Sequence, residues 1–168
     1  MKRVALILIL LAVSSSPAHA AKSQCNQIKI DARVTKGISL PCLDGMSTKV
    51  VQSIRGPIVV NVWGSWCDPC KEELPYFVHV AATKKIAIAG IDVEEKSMAA
   101  GRKFASAQNI TWPNLYDVSS KTRGLFGMGV PVTWFIDAKG AVKFKQIGVI
   151  HSQKILNDLI KIHLGITV

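Results

Sequence analysis

Two short apolar runs constrain the fold of this chain more than any other feature. The first, IVVNVW, spans residues 58–63, and the second, IAIAGIDV, spans residues 86–93. Each has almost no polar face, as expected for a strand that is covered on both sides of a sheet. The segment after each run shows helical periodicity in its apolar residues. Strands that alternate with helices predict parallel pairing and right-handed crossovers.

The remaining segments complete an α/β pattern. GISLPCLDG (37–45) and NLYDV (114–118) predict short strands or extended pieces, and SSKTRGLFGMG (119–129) predicts a brief helix. VPVTWFID and AVKFKQIG flank a Lys139-Gly140 turn and predict a hairpin, and Ser152 opens a final amphipathic helix. The order predicts one α/β domain with a central mixed sheet and flanking helices, in which the terminal hairpin adds an antiparallel edge.

The first twenty residues predict a signal peptide. Lys2 and Arg3 precede an apolar run at 4–13, and Ala18-His19-Ala20 supplies small residues at the positions that a signal peptidase reads. The run is too short to span a bilayer, which takes about 20 residues. We expect export with cleavage after Ala20, and an uncleaved membrane anchor is the less favoured alternative. The predicted organisation is a signal peptide (1–20), an N-terminal extension (21–36) and the main domain (37–168).

The chain is basic, with a formal net charge of +10, which becomes +8 when Lys2 and Arg3 leave with the signal peptide. The lysines are scattered, and no basic tract with interleaved aromatic residues stands out, so nucleic-acid binding is disfavoured. A solvated surface is the favoured interpretation. Anionic lipid, cell-wall polymer and an acidic partner protein are the alternatives, and any membrane contact is expected to be peripheral.

Cys67 and Cys70 follow the first apolar run, at the point where a helix is expected to begin. A helix N-terminus carries unpaired N–H groups and a partial positive charge, which lower the pKa of a thiol there. This placement predicts that Cys67 is the exposed attacking thiol and that Cys70 is the recessed thiol that resolves a mixed disulfide. Pro69 between them suits a first helical turn.

Three other uses of this Cys-x-x-Cys pair are disfavoured. A structural zinc site needs four ligands, and the sequence has no second Cys-x-x-Cys and no suitably spaced histidine pair. Haem attachment needs a histidine directly after the second cysteine, where this chain has Lys71. A purely structural disulfide across so short a loop contributes little to stability. We therefore predict redox exchange, without a metal or a cofactor.

Cys25 and Cys42 complete an even count of four cysteines, which is typical of disulfide proteins outside the cytoplasm. Pairing the two cysteines of the motif leaves Cys25 with Cys42, and Pro41 beside Cys42 suggests a fixed turn. We expect a structural disulfide that ties the N-terminal extension to the domain. A thiol relay with Cys67 is the alternative.

These motifs resemble the thioredoxin superfamily. WGSWCDPC (63–70), followed by KEELP, is similar to its active-site motif, and GVPVTWFIDAKG (129–140) resembles its second motif of an apolar residue, a proline, a strand and a turn. The specific resemblance is to exported thiol–disulfide oxidoreductases of the TlpA/ResA type, and it extends from about residue 37 to the C-terminus. It implies a thioredoxin-like fold with an N-terminal extension and a catalytic dithiol.

The resemblance also implies roles for individual residues. Pro131 is expected in cis against the cysteines, and Val130 is expected to offer backbone hydrogen bonds to a bound substrate. Glu95 is assigned to the place of an acidic residue near the active-site thiols, and a solvated acid at a strand end is the alternative. Asn61 stands where ordinary thioredoxins hold a buried aspartate, which favours the TlpA/ResA group. Trp66 is expected to lie at the rim of the substrate site.

The charges around the cysteines predict the direction of electron flow. Lys71 and the helix N-terminus lower the thiol pKa, whereas Asp68, Glu72 and Glu73 raise it, and a moderate pKa favours a reductant. We expect reduction of extracytoplasmic protein disulfides, with apocytochrome c as one candidate, and a membrane protein as the electron donor. The alternatives are an oxidase or isomerase for secreted proteins and a copper-handling protein that uses the two thiols. A peroxidase is disfavoured because the second cysteine lies so near.

Overall fold

The computed structural model describes residues 23–127 and 129–168. The predicted signal peptide lies outside the described residues. None of the described helices is long and apolar enough to cross a membrane. The elements in chain order are a 3₁₀ helix at Gln24–Gln27, β1 at Ser39–Pro41, β2 at Thr48–Val50, a second 3₁₀ helix at Val51–Ser53, β3 at Ile58–Trp63, α1 at Asp68–Thr83, β4 at Ala87–Val93, α2 at Met98–Ala107, β5 at Asn114–Asp117, β6 at Val132–Ile136, β7 at Val142–Ile147 and α3 at Gln153–Leu164.

Five strands form the central sheet in the order β5-β4-β3-β6-β7. β3, β4 and β5 are parallel, whereas β6 is antiparallel to β3 and β7 is antiparallel to β6. The prediction of a central mixed sheet is therefore confirmed. Only β7 forms the antiparallel edge, because β6 is buried along its whole length and lies inside the sheet, whereas β7 is largely exposed.

The two faces of the sheet are covered differently. All three helices pack on one face, the helical face, with core residues such as Phe77, Ala105 and Leu156. The opposite face is covered mainly by the chain before β3, which contributes Cys25 and Leu40 to a second apolar cluster. We call this the N-terminal face. The segment predicted as an extension thus supplies core residues, since none of the α-helices in the described residues packs on this side.

The segment predicted as a brief helix, 119–129, forms turns in its described part. Gly124 and Gly127 have φ angles of +86° and +120°, which a right-handed helix cannot contain. The Asp117 carboxylate accepts hydrogen bonds from the backbone N–H groups of Lys121 and Thr122, which fixes the first turn. The prediction of a helix here is therefore wrong, because the glycines of this segment interrupt it.

Candidate active site

The two central cysteines lie where β3 gives way to α1. Cys67 is the N-cap residue of α1, and its Sγ accepts a hydrogen bond from the backbone N–H of Cys70 at 3.1 Å. The Cys67 N–H donates to the Gly64 carbonyl at 3.1 Å, which closes the turn after the strand. The structure shows the oxidised form, with a Cys67–Cys70 disulfide and a Cα–Cα distance of 5.3 Å. Sulfur at an N-cap receives the unpaired N–H groups that stabilise a thiolate.

Neither cysteine is exposed in this oxidised form. Cys67 is 4% exposed and Cys70 is 1% exposed, and both belong to the apolar cluster of the helical face. The prediction of an exposed Cys67 is therefore wrong for this state, because the disulfide draws both sulfurs into the packed start of α1. Cys67 remains the more accessible of the two.

Antiparallel pairing of β3 with β6 brings the second predicted motif to the cysteines. The register aligns Val62 with Val132, so Pro131 comes beside the end of β3. The Val130–Pro131 peptide bond is cis. Val130 and Trp66, the two predicted substrate contacts, line one cavity of about 90 Å³. The Trp66 indole is 52% exposed, and its Nε1–H donates to the Val93 carbonyl at 3.2 Å.

Glu95 contacts the turn that precedes Cys67. Its side chain is buried, its Oε2 accepts a hydrogen bond from the Ser65 backbone N–H at 3.1 Å, and its Oε1 accepts from the Lys96 N–H at 3.2 Å. The Tyr116 hydroxyl donates to the Glu95 carbonyl at 3.1 Å. The alternative of a solvated acid at a strand end is therefore wrong. The Glu95 carboxylate therefore helps to hold the turn that precedes Cys67.

Glu73 is a candidate functional residue that the sequence pattern grouped only with the other acids around the cysteines. It is fully buried, one helical turn after Cys70. Its Oε1 accepts from the Asn61 side chain and its Oε2 accepts from the Ile150 backbone N–H, each at 2.9 Å. Burial raises the pKa of Glu73 to about 7, against the lowering effect of these two hydrogen bonds. The spacing of three residues from Cys70 was the signal, since it puts both side chains on one helix face.

The charges at the start of α1 are paired with each other. Lys71 Nζ lies 2.7 Å from Asp68 Oδ1 on the surface. The hydrogen bond from Lys71 lowers the pKa of the Asp68 carboxyl. Lys71 and Asp68 therefore largely cancel as influences on the thiols, and Glu73 is the buried acid of α1, three residues after Cys70.

Cys25 and Cys42 form the second disulfide, with a Cα–Cα distance of 5.9 Å. Both residues are buried in the cluster of the N-terminal face, whereas Cys67 and Cys70 lie in the cluster of the helical face. Direct exchange between the two pairs is disfavoured because the sheet lies between the clusters. The arrangement fits a structural bridge rather than a relay.

The sequence of this chain matches a known protein family. Residues 30–145 match the AhpC/TSA family. The chain belongs to this family. A thiol:disulfide interchange protein DsbE of Pseudomonas fluorescens biotype C is 35% identical over 114 residues, which are 67% of this chain and 64% of that protein. A thiol–disulfide oxidoreductase ResA of Bacillus anthracis is 30% identical over 95 residues, which are 54% of each chain. The matches thus span less than two thirds of either relative.

Solved structures show the fold of this AhpC/TSA domain. MTB dsbF matches with a TM-score of 0.65 and 24% identity, covering 80% of this chain and 98% of that one. StoA from Bacillus subtilis matches with a TM-score of 0.59 and 20% identity, covering 73% of this chain and 95% of that one. The prediction of a thioredoxin-like fold is confirmed.

A Glu73→Gln substitution tests whether this AhpC/TSA domain holds a proton on Glu73 near neutral pH. Because the pKa of Glu73 is raised in the folded state from 4.5 to about 7, the folded chain keeps a proton that the unfolded chain has lost. The free energy of unfolding of the unmodified protein should therefore fall by about 3 kcal/mol between roughly pH 4.5 and pH 7 through this group. Glu73→Gln should lack that fall.

Urea denaturation of the oxidised protein across this pH range measures the effect, because no thiol titrates in that form. The quantity compared is the change in the free energy of unfolding with pH, not its value at one pH. Glutamine cannot accept the hydrogen bonds from both Asn61 and Ile150, so it will lower stability at every pH. Glu72→Gln, a neighbouring exposed acid, is the matched control and should retain the fall. An equal pH dependence in Glu73→Gln would show that Glu73 does not carry the proton.

Proposed function

We propose that this protein is an extracytoplasmic thiol–disulfide oxidoreductase that reduces protein disulfides through Cys67 and Cys70. The observation that carries the proposal is the position of Cys67 at the N-cap of α1, with Cys70 bonded to it one turn further in. Val130, which precedes the cis Pro131, and the half-exposed Trp66 line a cavity that supports binding of a substrate chain. The names of the related DsbE and ResA proteins support the same activity.

The chemistry follows from the two thiols and the buried acid. In the reduced protein, the Cys67 thiolate attacks one sulfur of a substrate disulfide, so that the substrate S–S bond breaks and a mixed disulfide forms. Cys70 passes its proton to the Glu73 carboxylate and attacks Cys67 Sγ. The mixed disulfide then breaks and the Cys67–Cys70 bond forms. The two substrate sulfurs leave as thiolates and take up one proton from Glu73 and one from solvent. The dithiol has supplied both electrons.

The direction of electron flow rests on Glu73 rather than on a count of surface charges. Above its pKa of about 7, Glu73 is a buried negative charge one helical turn from Cys70, so it disfavours a second negative charge there, raises the thiol pKa and destabilises the dithiolate. Strong oxidants stabilise their reduced form, whereas a reductant does not. The buried acid therefore supports reduction over oxidation.

The substrates proposed are exported proteins with disulfides, apocytochrome c among them, and a membrane protein is proposed to return the electrons. The signal-peptide pattern and the two disulfides support an extracytoplasmic location, with cleavage after Ala20. The proposed domain organisation is a signal peptide followed by an N-terminal extension at residues 21–36 and the thioredoxin-like domain at residues 37–168.

The equilibrium redox potential of the Cys67–Cys70 pair tests the proposal. Protein without residues 1–20 is titrated with reduced and oxidised glutathione, and tryptophan fluorescence is followed because Trp63 and Trp66 flank the pair. We expect a reducing value, near the roughly −270 mV of thioredoxin. A value near −120 mV, as in a strong oxidant, would instead assign the protein to disulfide formation. A Cys67→Ser/Cys70→Ser variant is the control and should show no transition.

A further inference from the structure

Asp92, near the end of β4, is a buried acid that the mechanism above does not use. Its side chain is completely buried, and among the described residues no donor reaches either carboxylate oxygen. Such a group is stable in a protein interior only when it is neutral, because an unpaired buried charge costs several kcal/mol. Burial, and then the negative charge of Glu95, raise the pKa of Asp92 to about 8.

The fold provides a shaped space for this carboxyl. Asp92 is aligned with Trp63 on β3 and with Tyr116 on β5, so the three side chains form a row on the helical face. Gly101 of α2 packs directly over it: a Cβ atom at that glycine would come within contact distance of Asp92 Oδ2. The absence of a side chain at position 101 is what allows the acid to lie under α2.

Asp92 is connected to the active-site turn through Glu95. The Glu95 carboxylate holds the Ser65 N–H at 3.1 Å, in the turn between Trp63 and Cys67. Tyr116, the neighbour of Asp92 in the sheet, donates its hydroxyl to the Glu95 carbonyl. A charge that appears on Asp92 would therefore act on a carboxylate that supports the backbone just before the attacking cysteine.

We propose that Asp92 is a positioning residue for the active site: in its neutral form it leaves the hydrogen bond between the Ser65 amide and the Glu95 side chain intact, and a negative charge on Asp92 weakens that bond. The proposal concerns the same site as the proposed function, and its role in disulfide exchange depends on that function. Asp92 acts through Glu95 and touches neither the sulfurs nor a substrate.

Within residues 23–127 and 129–168, the groups that face this carboxyl offer it no compensating cation. Glu95 is a like charge, and Tyr116 is a phenol whose own pKa is raised by burial and by the two acids. From α2, Arg102 donates to the Leu43 carbonyl at 2.9 Å, and its side chain is exposed. Lys103 is also exposed. β3 contributes Trp63, which carries no charge.

The test is a pH titration of the oxidised full-length protein by NMR, in which no thiol titrates. The Ser65 amide and the Trp66 indole N–H are the reporters, because Ser65 donates to the Glu95 side chain, whereas Trp66 donates to the carbonyl of Val93, the residue after Asp92, and so reports on Asp92 without Glu95. We expect a transition with a midpoint near pH 8 in the unmodified protein. Asp92→Asn, which mimics the neutral acid, should lose this transition. Glu95→Gln should keep a transition in the tryptophan signal and move its midpoint to lower pH, because the like charge is gone.

Each result bears directly on the proposal. A transition that persists in Asp92→Asn, or that is absent from the unmodified protein, would overturn it, and so would an unchanged midpoint in Glu95→Gln. The Glu95→Gln shift supplies the answer if Asp92→Asn does not fold. The chain's α-amino group also titrates near pH 8, but neither substitution removes it.

The consequence for exchange is measured by the rate of insulin disulfide reduction between pH 6.5 and pH 9. Asp92→Asn should match the unmodified protein at pH 6.5 and exceed it at pH 9, because asparagine cannot gain the charge. If Asp92→Asn and the unmodified protein reduce insulin at the same rate at both pH values, Asp92 does not influence disulfide exchange. The proposed reductase activity would not be affected by that result. Absence of insulin reduction at every pH would instead contradict the proposed function, and the NMR transition would still decide the state of Asp92.

Discussion

Replacement of Cys70 by serine is expected to trap the protein in a mixed disulfide with its substrate. Cys67 caps α1 and retains the slightly greater exposure, whereas Cys70 lies one turn further into the core. Cys67 in Cys70→Ser can therefore still attack a substrate disulfide, but the thiol that resolves the adduct is absent. Overall disulfide reduction should fall on the order of a thousandfold or more, as when a catalytic nucleophile is removed. Mass spectrometry under non-reducing conditions detects the adduct.

The matched variant is Cys67→Ser, which should lose reduction without accumulating an adduct. Cys25 and Cys42 form their own bridge in both variants and serve as an internal reference for sulfur that does not exchange. An adduct that forms in Cys67→Ser and not in Cys70→Ser would reverse the roles of the two cysteines. It would also show that access to sulfur in the reduced protein differs from that in the oxidised structure.

Removal of the Cys25–Cys42 bridge is expected to cause the largest loss of stability. Its cysteines are 17 residues apart, and closing a loop of this length contributes about 3 kcal/mol in the chain-entropy account. For a domain of this size, such a loss lowers Tm by roughly 6–12 °C. The double variant Cys25→Ala/Cys42→Ala should show this fall in thermal denaturation, without leaving a lone buried thiol.

The control for this experiment is Cys67→Ala/Cys70→Ala. Its bridge joins residues only three apart, so the chain-entropy contribution is smaller. If the Cys25→Ala/Cys42→Ala variant melts within about 1 °C of the unmodified protein, the bridge does not stabilise the fold, and a redox role for this pair would need to be considered again.

The sequence was sufficient for features that depend on local patterns. β3 and β4 are continuous apolar runs, and the structure places both inside the sheet. The helix start at Cys67 follows from the end of one such run and from Pro69, both of which act over a few residues. The sequence pattern also distinguished the two pairs of cysteines, because Cys67 and Cys70 are three residues apart and their pairing leaves Cys25 with Cys42.

Features that depend on tertiary packing could not be predicted in the same way. The burial of Glu73 requires Asn61 from β3 and the Ile150 backbone from the loop before α3. Asp92 lies inside an apolar strand pattern, where a single acid is compatible with either a strand end or the core. Its burial under Gly101 appears only when α2 is packed on the sheet. Periodicity was therefore enough to predict most of the secondary structure, whereas the burial of Glu73 and Asp92 depends on tertiary packing.

The bridge between Cys25 and Cys42 also bears on the solubility of the protein. β5 is an edge strand, and its outer side is occupied by the N-terminal segment: Cys42 forms a β-bridge with Leu115, and the Leu43 N–H donates to the Asn114 carbonyl at 2.7 Å. Uncovered edge strands are templates for aggregation. Production in a compartment that keeps thiols reduced should therefore leave this edge poorly guarded and give insoluble protein. An oxidising compartment, in which the Cys25–Cys42 disulfide forms, should therefore also prevent pairing between the β5 edge strands of neighbouring molecules.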